Sequence, residues 1–82
     1  DVPAALINDD NTLLRWLGSR QADYYQIEYK ESGVWRLLEK IDSQQGKYLY
    51  EISLKKDYEL GNYPIRVVSY AGTNRRISNV IE

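Results

Sequence analysis

The chain contains no cysteine, histidine, methionine or phenylalanine. Without cysteine there is no disulfide framework, and the redox compartment cannot be read from thiol usage. Without histidine the commonest general base, nucleophile activator and transition-metal ligand are lost together, which removes zinc sites and triad-type hydrolases. No apolar run approaches the roughly 18 residues of a membrane span, and Asp1 opens the chain without a charged-then-apolar signal segment. The expectation is a piece excised from a longer protein, with no membrane insertion. Charge of one sign is also missing: 11 basic and 12 acidic side chains are interspersed, for a net charge of −1. A nucleic-acid partner would need a concentrated basic footprint to neutralise phosphates, and Arg75-Arg76 is too short to supply it.

The chain is rich in tyrosine. Eighty-two residues make one domain, 1–82, near the lower limit for folding without a disulfide or a metal, and eight Tyr with two Trp supply the large rings that such a small core needs. Two segments carry the clearest periodicity. Tyr25, Ile27 and Tyr29 alternate with Gln26, Glu28 and Lys30, and Tyr63, Ile65 and Val67 repeat the pattern. A period of two is that of a strand with one buried face.

Further strands follow from the same criterion and from turn chemistry. Ala4–Ile7 forms a short first strand, and Asn8-Asp9-Asp10-Asn11 is a turn. Thr12–Leu17 is the second strand, with Leu14 and Trp16 inward. Tyr24–Lys30 is the third, closed by a three-residue hairpin loop Glu31-Ser32-Gly33 whose glycine suits a positive-φ position. Val34–Ile41 is ambiguous. Val34, Leu37, Leu38 and Ile41 fit a helical stripe, whereas Trp35, Leu37 and Ile41 fit an alternating one; the short length and the preceding hairpin signal favour a strand. Tyr48–Leu54 alternates with Tyr48, Tyr50, Ile52 and Leu54 on one face. Lys55–Asn62 is a charged connection, Tyr63–Tyr70 a strand, Gly72–Arg76 a turn, and Ile77–Ile81 the closing strand. Seven short strands without a helix predict an all-β antiparallel sandwich.

Over essentially its whole length this pattern resembles the fibronectin type III domain, an immunoglobulin-like sandwich of seven strands. Trp16 stands where that family keeps its second-strand tryptophan. Tyr25-x-Ile27-x-Tyr29 is similar to its third-strand signature, and Tyr63-x-Ile65-x-Val67 to its sixth. The resemblance implies a core of Trp16, Tyr25, Ile27, Tyr29, Tyr63, Ile65 and Val67. It also implies a tyrosine corner in which Tyr63 hydrogen-bonds back to the preceding connection, with Leu54 or Leu60 as the leucine before it. The sequence departs from the family in lacking its proline-glycine pair in that connection, in the proline at Pro64, and in Ser69 and Ala71 after the sixth-strand valine. Proline cannot donate to a ladder, so Pro64 belongs at the strand's first residues or at a bulge.

Candidate sites are few. Asn8-Asp9-Asp10-Asn11 offers oxygen ligands for calcium but lacks the spaced acids and distal glutamate of a dedicated loop, so local turn chemistry is the reading. Glu28 and Glu51 resemble a glycosidase pair only in type; both fall on solvent faces, where carboxylates keep low pKa values. The resemblance makes the Gly72–Arg76 loop a place for partner contact, with Thr73, Asn74, Arg75 and Arg76 as candidates. Tyr24 and Trp35, with Leu13 and Tyr70, form candidate outward patches. The expected function is a non-catalytic spacer and protein-interaction module in a larger extracellular, cell-surface or virion protein, contacting neighbouring domains and requiring no cofactor. The Gly61–Val67 segment is similar to that of modules in bacteriophage tail-tip host-specificity proteins and bacterial secreted glycan-degrading enzymes. The alternative is a carbohydrate-binding sandwich with a glycan ligand, which needs Trp35, Tyr24 and Tyr48 coplanar on one open face.

Overall fold

The computed structural model describes residues 1–82 and is all-β. Its seven strands are β1 (Ala4–Leu6), β2 (Leu13–Leu17), β3 (Tyr24–Glu31), β4 (Val34–Asp42), β5 (Leu49–Ser53), β6 (Ile65–Ala71) and β7 (Asn74–Ile77). They form two antiparallel sheets, three-stranded β1-β2-β5 and four-stranded β4-β3-β6-β7. The arrangement is sandwich-like. Every β2 and β3 residue expected to face inward does so: Leu14, Trp16, Tyr25 and Ile27 are buried, and Tyr29 packs partly buried against them.

The core joins both sheets through three rings. Trp16 stacks on Tyr50 at 5.3 Å between centroids and meets Tyr25 edge-on at 5.8 Å. Offset and edge-to-face pairs of this kind add about 0.5–1.5 kcal/mol beyond area burial. Trp16 Nε1 lies inside this cluster without a hydrogen-bond partner, whereas the two phenols are satisfied at the rim. Tyr25 Oη accepts from the Ser19 amide (3.1 Å) and donates to its carbonyl; Tyr50 Oη accepts from the Gln44 amide (3.1 Å). Gly18 makes this fit possible. It alone among the five glycines has no positive φ, and a Cβ there would overlap the Tyr25 hydroxyl and stand 3.0 Å from Tyr50 Cε1.

Several expectations are corrected. The first strand stops at Leu6, and Ile7 is 91% exposed in the following loop. The β3–β4 hairpin has two loop residues, because Ser32 (φ 52°) and Gly33 (φ 79°) both take left-handed conformations, as a type I′ turn demands. Residues 34–42 are strand, and their puzzling pattern has a local cause. A bulge inserts Leu38 between the pairs Ile27–Glu39 and Glu28–Leu37. Alternation therefore changes phase: Trp35 and Leu37 face outward, while Leu38 and Ile41 pack against the core. The Lys55–Asn62 connection contains a single 3-10 turn, Lys56–Tyr58. Pro64 lies just before β6, as its missing N–H requires.

The corner expectation also changes. Tyr63 packs with Tyr29 and Tyr58 at one end of the sandwich, outside the main core cluster. Its hydroxyl donates to Glu31 Oε2 (3.4 Å) across the β3–β4 hairpin, with no bond back into the preceding connection. The Glu31 carboxylate raises the Tyr63 pKa, since a phenolate there would face a like charge. Both Leu54 and Leu60 contribute to the core, the first buried and the second partly so.

The segment after β7 is anchored by polar side chains, and Asn79 ties it to the other sheet. Asn79 Oδ1 accepts from the Ala5 amide (2.9 Å) and its Nδ2 donates to the Ala5 carbonyl (3.1 Å). An amide side chain thus stands in for a neighbouring strand on the outer edge of β1. Ser78 Oγ accepts from the Val67 amide (2.8 Å) where β7 has ended. The Ile65–Ile81 bridge then closes the segment.

Candidate functional site

The outer face of the four-stranded sheet holds the most organised surface chemistry. Register places Asp42, Tyr24, Tyr70 and Arg75 in one cross-strand row. Tyr24 and Tyr70 stack at 4.8 Å, Lys40 Nζ lies 4.3 Å from the Tyr24 ring, and Tyr70 Oη donates to Gln26 Oε1. Toward the other end, Arg66 donates from Nε to Glu28 Oε1 at 2.8 Å, and its guanidinium covers the Trp35 ring at 4.1 Å. Only 14% and 12% of the Arg66 and Glu28 side chains remain accessible, against 44% and 45% for the matching Arg15–Glu51 pair on the opposite sheet. Val68, outward on β6, is fully buried beneath this layer. The face is therefore a second, shallow packing layer, and Glu28 is covered where full solvation was expected.

This geometry bears on each aromatic candidate. Tyr24 and Trp35 share a face, but Trp35 pairs opposite Lys30, six residues along β3 from Tyr24, or about 20 Å at the strand rise. Lysine or arginine sits over each ring. Tyr48 belongs to the other sheet's side, where its carbonyl accepts from the Gly18 amide, and is half-exposed. The three rings form no common platform.

The Thr73–Arg76 group is largely strand and not loop. Gly72 (φ 61°) and Thr73 alone form the turn, with Ala71 paired to Asn74, and glycine at the first central position is the type II′ pattern. Asn74, Arg75 and Arg76 are exposed on β7. Alternation divides them: Arg75 stands beside Tyr70 on the outer face, while Asn74 and Arg76 line a shallow polar pocket of about 120 Å³ with Arg20, Ser19 and Ser69. Asp23 organises this end. Its carbonyl accepts from the Ser43 amide, its amide donates to the Tyr70 carbonyl, and its carboxylate accepts from the Gly72 amide at 2.8 Å.

Among the other acidic candidates, Asp10 is engaged within its own turn and Glu28 and Glu51 across strands. Asp10 Oδ1 accepts from Thr12 Oγ1 and from the Thr12 amide (2.9 Å), and these bonds lower its pKa. Asn8 Oδ1 accepts from the Asp10 amide in the same turn. Glu28 and Glu51 lie on opposite outer faces, each joined to its own arginine, so they cannot flank one bond. No three acidic side chains gather as a metal site.

Two tyrosines in the core titrate abnormally. Burial raises Tyr25, since a phenolate would be desolvated there. Burial also opposes ionisation of Tyr50, but hydrogen bonds with Ser43 and Gln44, together with Lys47, bring its pKa below the ordinary value. Sequence reasoning missed Asn79, Ser78 and Asp23 as organisers. Each has a side chain that bonds backbone distant in sequence, and no periodicity marks such contacts.

No protein-family model matches this chain, and searches of curated proteins and of solved structures found no match.

Proposed function

We propose that the chain is a fibronectin-type-III-like module that holds neighbouring domains apart and offers its edges and loops to protein partners. The observation that carries this reading is the placement of the first and last elements. Ala4 pairs with Leu17 beside the Ser19–Asp23 loop, whereas Ile81 pairs with Ile65 beside the β3–β4 hairpin. The chain therefore enters at one end of the sandwich and leaves at the other, across a molecule of 31 × 26 × 17 Å. The strand order β1-β2-β5 against β4-β3-β6-β7, with Trp16 facing Tyr25, supports the family reading.

The module is non-catalytic in this reading, because Glu28 and Glu51 lie on opposite outer faces and each is paired with its own arginine. It requires no cofactor. A place in a modular extracellular, cell-surface or phage tail protein follows from the resemblance of the Gly61–Val67 segment. Nitroxide labels at Asp1 and Glu82 test the spacer role by pulsed electron paramagnetic resonance. A single narrow distance of the order of the 31 Å long dimension is expected, and a broad distribution overturns the reading.

A further inference from the structure

A two-sheet sandwich with open edges presents unpaired backbone groups, and soluble proteins guard such edges. Three of the four edges here are guarded, each differently. β1 has only three residues, and Asn79 occupies the Ala5 amide and carbonyl. β4 carries the Leu38 bulge and places charged Arg36 and Glu39 on its inward face, opposite Tyr29 and Ile27. β7 has four residues, two of them arginine.

The edge of β5 has none of these devices. Leu49–Ser53 contains no proline or bulge and one charge, Glu51. The Gly18 amide bonds the Tyr48 carbonyl and the Leu54 amide bonds the Thr12 carbonyl, which places the even-numbered residues of this strand in hydrogen-bonded pairs with β2. Antiparallel alternation then turns the amides and carbonyls of Leu49, Glu51 and Ser53 outward from the sheet.

Beside this edge the chain provides for side chains on both faces of an added strand. On the outer face, Leu49 is 55% exposed next to Leu17, and Glu51 receives Arg15 on Oε2 while remaining half-exposed. On the inner face, a cavity of about 160 Å³ opens between the sheets, lined by Leu38, Leu54, Glu39, Ser53 and Lys55.

We infer that the β5 edge binds an extended segment of another polypeptide as a fourth strand, with a basic side chain opposite Glu51 and flanking apolar side chains turned into the Leu38–Leu54 seam. Two-fold pairing of β5 with a second copy centred on Glu51 would set two glutamates opposite each other, and like charges there are unfavourable. The occupant is thus a different, basic-apolar strand. The inference rests on reading the chain as a protein-interaction module, of which it specifies the surface and the partner's chemistry.

The test uses the capped peptide Ser-Thr-Val-Lys-Val-Thr-Ser, whose palindromic order fits either strand direction, and the same peptide with Glu for Lys. Proton–nitrogen NMR titration is expected to shift Leu49–Ser53 and Leu38, with a dissociation constant of about 1 mM. Amide exchange at Leu49, Glu51 and Ser53 should slow by about fivefold at saturation, and the Glu peptide should bind about fivefold more weakly. The doubly substituted protein Arg15→Glu with Glu51→Arg keeps its internal ion pair and should reverse the preference. No shift with about 5 mM peptide, equal response to both peptides, or shifts centred on β4 or β7 would overturn the inference. So would concentration-dependent shifts of Leu49–Ser53 without peptide, which assign the edge to a second copy. Any of these leaves the label-distance test of the spacer role unaffected.

Discussion

Replacing Gly18 by alanine tests the packing at the centre of this fold. The new Cβ would overlap the Tyr25 hydroxyl and lie 3.0 Å from Tyr50 Cε1 and 3.2 Å from Tyr25 Cζ. Neither ring can swing aside, because Tyr25 is wedged between Trp16 and Tyr50 at centroid distances of 5.8 and 4.9 Å. Overpacking of this sort costs about 1–3 kcal/mol. Displacing the hydroxyl from Ser19 adds about 1 kcal/mol. Stiffening of the unfolded chain returns about 0.4–1 kcal/mol, because Gly18 holds no positive φ that alanine would resist. The net expectation is a loss of about 2 kcal/mol, or about 10 °C in Tm for a domain of this size. Urea unfolding followed by tryptophan fluorescence measures it, together with Tyr25→Phe and the double variant. Without the hydroxyl the overlap is relieved, so Gly18→Ala in the Phe background should cost under about 0.5 kcal/mol, giving a coupling of about 1.5 kcal/mol. Equal costs in both backgrounds would refute the reasoning.

Three further outcomes follow from the same structure. Trp16→Ala should cost about 3–5 kcal/mol, most of the stability of an 82-residue domain, and the far-ultraviolet strand signal should be lost at 37 °C. Arg66→Ala strands the covered Glu28 carboxylate and should cost about 2–3 kcal/mol, short of the 3–5 of a fully buried pair, whereas Arg15→Ala on the open face should cost under about 1 kcal/mol in the same urea assay. The raised Tyr25 pKa stabilises the fold fully below pH 10.0, the ordinary tyrosine value, and that contribution is lost as pH rises through the folded-state pKa. The urea midpoint should fall as pH rises above 10.0, and less steeply in Tyr25→Phe.

How much of this was legible in the sequence depended on whether a feature expresses itself as period. Tyr25, Ile27 and Tyr29 on β3 were readable because one face is buried and the pairing to β6 is regular. Residues 34–42 were ambiguous because the Leu38 bulge breaks alternation in mid-strand, leaving a spacing that imitates a helix. The hairpin loop is one residue shorter than its sequence suggests, since serine seldom adopts a positive φ and only tight pairing of Glu31 with Val34 imposes it. Thr73–Arg76 reads as loop because its polar residues carry little strand preference, yet pairing with Tyr70 and Ser69 extends the sheet through them. Glu28 looked solvated from alternation alone. Its cover comes from Arg66 and Trp35 on neighbouring strands, which sequence order does not bring together.

The Asn79–Ala5 clamp has a mechanical corollary. β1 runs from the Ser19 end of the sandwich toward the β3–β4 hairpin, and the segment from Ile77 to Ile81 runs the same way. Tension applied through both ends of the chain would slide these two parallel segments past each other. The two clamp bonds, 2.9 and 3.1 Å long, would then be loaded together in shear, and they would not open one after the other like a zipper. A single asparagine would thus share that load with the Ile65–Ile81 bridge, so that tension meets bonds in shear at both ends of the closing segment.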